Sequence, residues 1–276
     1  MPRHPASVLK EHSLYASKRK GQNYLTNPAI ASAIVNAARV RSEDTVVEIG
    51  AGLGALTVPL AQQAGQVIAL EIDRGVYQIL ERMLASYGQA RAVLQDALTF
   101  TWKDLTRQVK IVANLPYALS SPLLFNMMEN IPHWQSATLM LQKDLALRLN
   151  ARPGARVYSR LSVMVQSLCR IEEHFYVGPD NFFPRPAVDS LVLTLTPLPS
   201  PLVPDEEYAW FSQVVRAAFA NRRKILLNSL SASLAEDKNR LASLLQENGF
   251  DLKCRGETLD IAGLRRLAQA LRGLRK

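Results

Sequence analysis

Cysteine is scarce in this 276-residue chain: only Cys169 and Cys254 occur, far apart, with no CxxC and no histidine at metal-ligand spacing. A disulfide framework or a zinc site is therefore not expected, no metal is assigned, and a reducing cytosol is the default compartment. No apolar run approaches the ~18 residues of a membrane span. The first 25 residues lack the apolar core of a secretory signal and carry five bases and one acid. There are no internal repeats and no low-complexity tract. What is present is ordinary globular material, with 48% apolar and 21% charged residues, too apolar for a disordered chain. The length suggests about two domains at ~150 residues each.

The charge is uneven. Lys and Arg number 33 against 24 Asp and Glu, a net +9. Residues 208–276 alone hold 13 bases and 6 acids, a local +7, which leaves +2 for everything before them. Basic patches at both ends suit a polyanion, most simply nucleic acid, although a solubilising surface explains charge alone equally well.

Along the chain, Asn27-Pro28 reads as a helix start, with Asn27 as the cap. Strands are expected at 45–49, 66–72, 92–95, 110–113, 137–141 and 190–196, with helical stretches between the earlier ones. That alternation argues for a parallel sheet covered by helices on both faces. Pro197, Pro199, Pro201 and Pro204 then fall within eight residues and end the sheet pattern, so the domain boundary is placed there. The remainder reads as helices over 206–220, 222–235, 238–248 and 261–271, with Gly249 as a C-terminal cap.

Two segments carry chemistry. Glu48-Ile49-Gly50-Ala51-Gly52-Leu53-Gly54 joins a strand to a helix, and Glu71 ends the next strand 21 residues after Gly50. Glycines permit a sharp turn and close approach of a ligand, and a carboxylate at the end of that strand can hold ribose hydroxyls. NAD and S-adenosylmethionine both satisfy this pattern. Glu48 tips the balance, since a carboxylate beside the turn opposes a pyrophosphate but tolerates a sulfonium. Asp96, in Gln95-Asp96-Ala97, can accept from an adenine amino group or merely cap a helix. Asn114-Leu115-Pro116-Tyr117 follows a later strand and faces the same crevice. The Asn114 oxygen and a backbone carbonyl can accept two hydrogen bonds from an exocyclic amine, Pro116 stiffens the loop, and Tyr117 offers a stacking face. The aromatic–proline loop Asn181-Phe182-Phe183-Pro184-Arg185-Pro186 could complete a clamp around a flipped-out base.

Taken in order with Gly21-Gln22-Asn23-Tyr24-Leu25, Leu161-Ser162-Val163-Met164, Phe182-x-Pro184-x-Pro186-x-Val188-x-Ser190 and Phe219-x-x-Arg222-Arg223-Lys224, these motifs resemble the KsgA-type small-subunit rRNA adenine N6-dimethyltransferases. The resemblance spans nearly the whole chain. It implies a Rossmann-like S-adenosylmethionine-dependent methyltransferase domain (residues 1–199, with a basic N-terminal extension) and a small all-helical rRNA-binding domain (residues 200–276). The implied reaction dimethylates N6 of two adjacent adenosines near the 3′ end of small-subunit rRNA. The implied partner is rRNA in a pre-assembled subunit, met by a monomer in the cytoplasm without a membrane. By position, Asn23, Leu25, Gly50, Gly52, Glu71, Ile72, Asp96, Ala97 and Asn114 would form the cofactor site. Asn114, the Leu115 carbonyl, Pro116, Tyr117 and Phe182 would hold the target adenine. Arg222, Arg223 and Lys224, read as the start of a helix, would dock rRNA. Lys20, Ala118 and Ala187 depart from the family's usual apolar, polar and Lys residues. An Erm-type large-subunit methyltransferase is the nearest alternative, but that group typically has Ile where Leu115 stands. A non-catalytic assembly factor would not need Glu71, Asp96, Asn114 and Tyr117 together, and a nicotinamide oxidoreductase leaves the tetrapeptide unexplained.

Overall fold

A computed structural model describes residues 3–17, 21–105, 107–117 and 119–274. Lys20 and Ala118 lie outside the described residues. Among those described, nine strands form: β1 (Tyr24–Leu25), β2 (Thr45–Ile49), β3 (Gln66–Glu71), β4 (Ala90–Leu94), β5 (Val109–Asn114), β6 (Trp134–Gln142), β7 (Cys169–Val177), β8 (Phe182–Phe183) and β9 (Ser190–Pro197). Seven make one sheet in the order β4-β3-β2-β5-β6-β9-β7, and β1 pairs with β8 in a two-stranded ribbon. No helix among the described residues is long and apolar enough to cross a membrane.

The fold class is an α/β sheet of the doubly wound type. β2 sits near the middle, β3 and β4 extend to one side, and β5 and β6 extend to the other, all in parallel register. β2 is buried at every position, because its run of Val46, Val47 and Ile49 is covered on both faces. The order reverses between β2 and β5, where Ile49 stands beside Ala113. Crevices at such a reversal, at the carboxyl ends of the strands, are where this architecture binds ligands. The parallel sheet expected from the alternation carries one departure: β9 runs antiparallel to β6, pairing Gln142 with Ser190.

The helices are set by local signals. The Asn27 side chain accepts from Ala29 N at 3.0 Å, with Pro28 at the first helical position of Pro28–Ala37. Asp73 caps Arg74–Leu84 through the amides of Gly75 and Val76. Ile34, Val35, Leu60 and Val67 meet in the core of this unit.

The chain divides into two compact units, Met1–Ala146 with Ile171–Pro197, and Leu147–Arg170 with Leu198–Lys276. The proline-rich stretch marks one crossing. Residues 147–170, placed in the first domain by sequence, cluster with the helical unit. Within that unit Asp205–Phe219 starts after Pro204 with three acids in its first turn, which complement the helix dipole. Trp210 Nε1 donates to Ala268 O at 2.7 Å, and Gly256 packs so tightly that a Cβ there would lie 2.6 Å from Ala218 O. The expected helix over 222–235 is shorter. Residues 221–224 form a turn, and the helix begins at Leu226 and ends at Leu234.

Candidate active site

The glycine loop leaves the end of β2 with Gly50 and Gly52 at φ of 71° and 55°, a region that favours residues without a Cβ. The amides of Gly50 and Ala51 both donate to Leu70 O at 3.0 Å, and Gly52 N donates to Glu71 Oε2 at 2.8 Å. These donors are turned onto the end of β3 and are not grouped as a cradle for a pyrophosphate, which removes the support for a dinucleotide. Glu71 is buried, and its Oε1 accepts from Asp73 N at 2.8 Å. Burial lifts its pKa above the ordinary carboxylate value, opposed by the amides of Asp73 and Gly52.

A cavity of about 620 Å³ opens beside this loop, bounded among others by Asn23, Tyr24, Gly52, Glu71, Ile72 and Asn114. The volume falls in the range of small-molecule sites, roughly 300–1,000 Å³. Ile72 is 54% exposed, an apolar surface suited to a flat base. Glu48 also borders the cavity, only 2% exposed, and among the described residues its Oε2 has no hydrogen-bond partner of ordinary geometry. Burial, opposed by a hydrogen bond from Thr57 and reinforced by the charge of Glu71, pushes its carboxyl up to about 8. A cation bound beside it would favour the ionised carboxylate. The donor set, the exposed apolar face and the cavity size together fit S-adenosylmethionine.

At the end of β5, Asn114 Nδ2 donates to Asn23 O at 3.0 Å. The amide is thereby fixed, and among the described residues nothing donates to Asn114 Oδ1 or to the Leu115 carbonyl. Pro116 packs on the glycine loop, its Cδ 3.6 Å from where a Cβ on Gly50 would stand. Tyr117 borders the cavity, with its hydroxyl 3.1 Å from Ser190 Oγ. Burial raises its pKa, so the phenol stays neutral. Ser190, fully buried at the start of β9, is the residue that fixes this ring. It lies in the quoted motif, but its spacing alone assigns it no role.

The structure brings Asn23, Leu25, Gly50, Gly52, Glu71, Ile72, Asn114, Leu115, Pro116 and Tyr117 to the cavity. Asp96 and Ala97 are not on its wall among the described residues. Asp96 Oδ1 caps a short turn through Leu98 N at 2.9 Å, the capping role its position also allowed. Phe182 requires a correction. It pairs with Leu25 across the β1–β8 ribbon and is buried in the core with Ala31 and Ile34. Successive residues of a strand face opposite ways, so Phe183, not Phe182, stands on the other side, edge-on to His4 at 5.5 Å. The Phe183–Pro184 peptide is cis.

In the helical unit, Arg222 Nε donates to Glu257 Oε2 at 3.0 Å and its Nη2 donates to Arg156 O at 2.7 Å. Arg223 and Lys224 are exposed and form no ion pair among the described residues. The three bases therefore do not act alike. No group of three or more His, Cys, Asp or Glu among the described residues could hold a metal ion.

The model of the ribosomal RNA adenine dimethylase family matches residues 14–265. Among curated proteins, ribosomal RNA small subunit methyltransferase A of Bacillus cereus is 36% identical over 98% of this chain and 96% of its own length, and that of Bacillus anthracis is equally similar. Among solved structures, a dimethyladenosine transferase from Plasmodium falciparum superposes with a TM-score of 0.78 at 27% identity, covering 91% of this chain and 98% of its own. The 23S rRNA methyltransferase ErmE superposes at 0.67 and 26% identity, over 91% of this chain and all of its own. A family match over most of the length, on a sheet whose switch point gathers Glu71, Asn114 and Tyr117, has one reading: the chain belongs to the ribosomal RNA adenine dimethylase family.

Proposed function

We propose that this protein dimethylates N6 of two adjacent adenosines near the 3′ end of small-subunit rRNA, acting as a monomer on a pre-assembled subunit in the cytoplasm. The name carried by the Bacillus relatives supports the choice of small subunit. The observation that carries the chemistry is the fixed amide of Asn114. With Nδ2 held by Asn23 O, Oδ1 is left as the acceptor, and among the described residues nothing donates to the Leu115 carbonyl. Those two oxygens accept the two hydrogens of an exocyclic amine.

The N6 lone pair of adenine is delocalised into the ring, so the amine is a poor nucleophile. Two acceptors on its hydrogens favour a pyramidal nitrogen and localise the lone pair on nitrogen, out of conjugation with the ring. Tyr117, tethered to Ser190, presents its face to the base and limits tilting. Glu71 would accept from ribose hydroxyls, and the exposed Ile72 side chain would cover the adenine of the cofactor. S-adenosylmethionine, when bound, supplies an electrophilic methyl group on a sulfonium. The proton released at N6 passes to solvent, and no side chain is needed as a general base.

Arg223 and Lys224 would meet rRNA phosphates from the helical unit, whereas Arg222 holds their turn in place through Glu257 and Arg156. The acceptor role is tested by Asn114→Ala. Single-turnover methyl transfer should fall at least 100-fold while affinity for S-adenosylhomocysteine changes by less than about fivefold, since a group that orients the reacting atom acts mainly on the chemical step. A rate within twofold of the parent would remove Asn114 from the acceptor site.

A further inference from the structure

Tyr24 belongs to the short ribbon strand β1, where it pairs with Phe183. Its ring is packed with Leu9 and Val76, and it is 7% exposed. Its hydroxyl is buried and has no hydrogen-bond partner among the described residues. Such groups are rare in folded proteins and call for an explanation. Packing holds one side of the ring and the glycine loop the other. A Cβ on Gly52 would lie 3.3 Å from two atoms of the Tyr24 ring. The residue also borders the cavity that contains Glu71.

We infer that the Tyr24 hydroxyl is a positioning group for the cofactor, donating a hydrogen bond to a ribose oxygen of the bound nucleoside. The inference rests on reading this cavity as the S-adenosylmethionine site. Burial, with the carboxylates of Glu71 and Asp73 nearby, raises the phenol's pKa and keeps its proton in place. It is therefore a donor. The acceptor it meets must tolerate neighbouring carboxylates, and a neutral hydroxyl oxygen does so where an anion would not. Glu71 would accept from the ribose hydroxyls and Tyr24 would donate to one of them, so the sugar is gripped by opposite hydrogen-bonding types. Orientation of the ribose fixes the direction in which the attached sulfur projects toward Asn114.

The test is Tyr24→Phe, which removes one oxygen and leaves the packing intact. Two readouts should move in opposite directions. The ligand-free variant should melt higher, by about 2–4 °C, because an unsatisfied buried hydroxyl is gone. Its affinity for S-adenosylhomocysteine by calorimetry should fall roughly threefold to tenfold. With the 2′-deoxy and 3′-deoxy forms of S-adenosylhomocysteine, the parent-to-variant ratio should collapse toward one for whichever analogue lacks the acceptor. Equal affinities for S-adenosylhomocysteine would overturn the inference, as would a lowered melting temperature, which would give the hydroxyl a partner within the protein. A ratio that persists with both deoxy analogues would overturn the ribose assignment. Failure of the parent itself to bind S-adenosylhomocysteine would instead strike at the reading of the cavity.

Discussion

Glu48 offers a sharp physical test of the site, because its burial has a pH signature. The carboxyl titrates near 4.5 when exposed and is pushed up to about 8 in the folded protein. Between those values the folded state binds more protons than the unfolded state. Stability therefore falls as pH rises through that window, and the full penalty is present above pH 8. At 1.36 kcal/mol per pK unit the penalty is on the order of 3–5 kcal/mol. Glu48→Gln keeps the shape and abolishes the titration. Below pH 4.5 parent and variant should melt together, because both side chains are neutral. At pH 9 the variant should melt higher by on the order of 10 °C, using roughly 2–4 °C per kcal/mol for a chain of this size. Saturating S-adenosylmethionine should narrow that gap, because a cationic ligand stabilises the parent's carboxylate and not the amide. The assay is scanning calorimetry of both proteins at pH 4.5, 7 and 9, with and without ligand. A melting difference that is constant across pH, or a variant less stable at pH 9, would refute the reasoning.

Other expectations follow from the same geometry. Glu71→Ala should weaken S-adenosylhomocysteine binding at least tenfold by calorimetry, since a charged acceptor contributes about 1.5–3 kcal/mol. It should also lower the melting temperature, because the Gly52 and Asp73 amides lose their partner. Ser190→Ala should lower the single-turnover methylation rate roughly threefold to tenfold with cofactor affinity unchanged, and Tyr117→Phe should do the same, because each breaks one tether. Arg222→Ala should lower the melting temperature of the protein, whereas Arg223→Ala with Lys224→Ala should leave it unchanged. That double variant should reduce the log–log salt slope of small-subunit binding by roughly 0.7–0.9 for each phosphate it no longer neutralises.

Much of the fold was legible because the strands β2, β3, β5, β6 and β9 are apolar runs ending in recognisable loops. β7 was not. Its Arg170, Glu172, Glu173 and His174 stand on an edge strand and give no apolar run to read. The antiparallel direction of β9 was hidden for a different reason: a strand such as Leu191–Leu195, buried on both faces, looks the same in either direction. Gly50 follows β2 and Asn114 ends the adjacent strand β5, so a sheet read from the sequence already brings the two together. Phe182 and Phe183 show the limit, because parity within a two-residue strand decides which ring enters the core and the motif does not fix parity. The bases at 222–224 were read as helix, whereas the chain turns there and frees Arg222 to reach Glu257 and Arg156. Nothing in composition marked residues 147–170 as part of the helical unit, because their partners are distant segments such as Glu257 and Leu259.

The measurement that bears most directly on the proposed function is transfer of tritiated methyl groups from S-adenosylmethionine to ribosomal subunits stripped of this modification, followed by mapping of the labelled base. Label should enter the small subunit, at N6 of two adjacent adenosines near the 3′ end of its rRNA, with up to two methyl groups on each. Label confined to an adenine of the large subunit, or to any atom other than N6, would contradict the account.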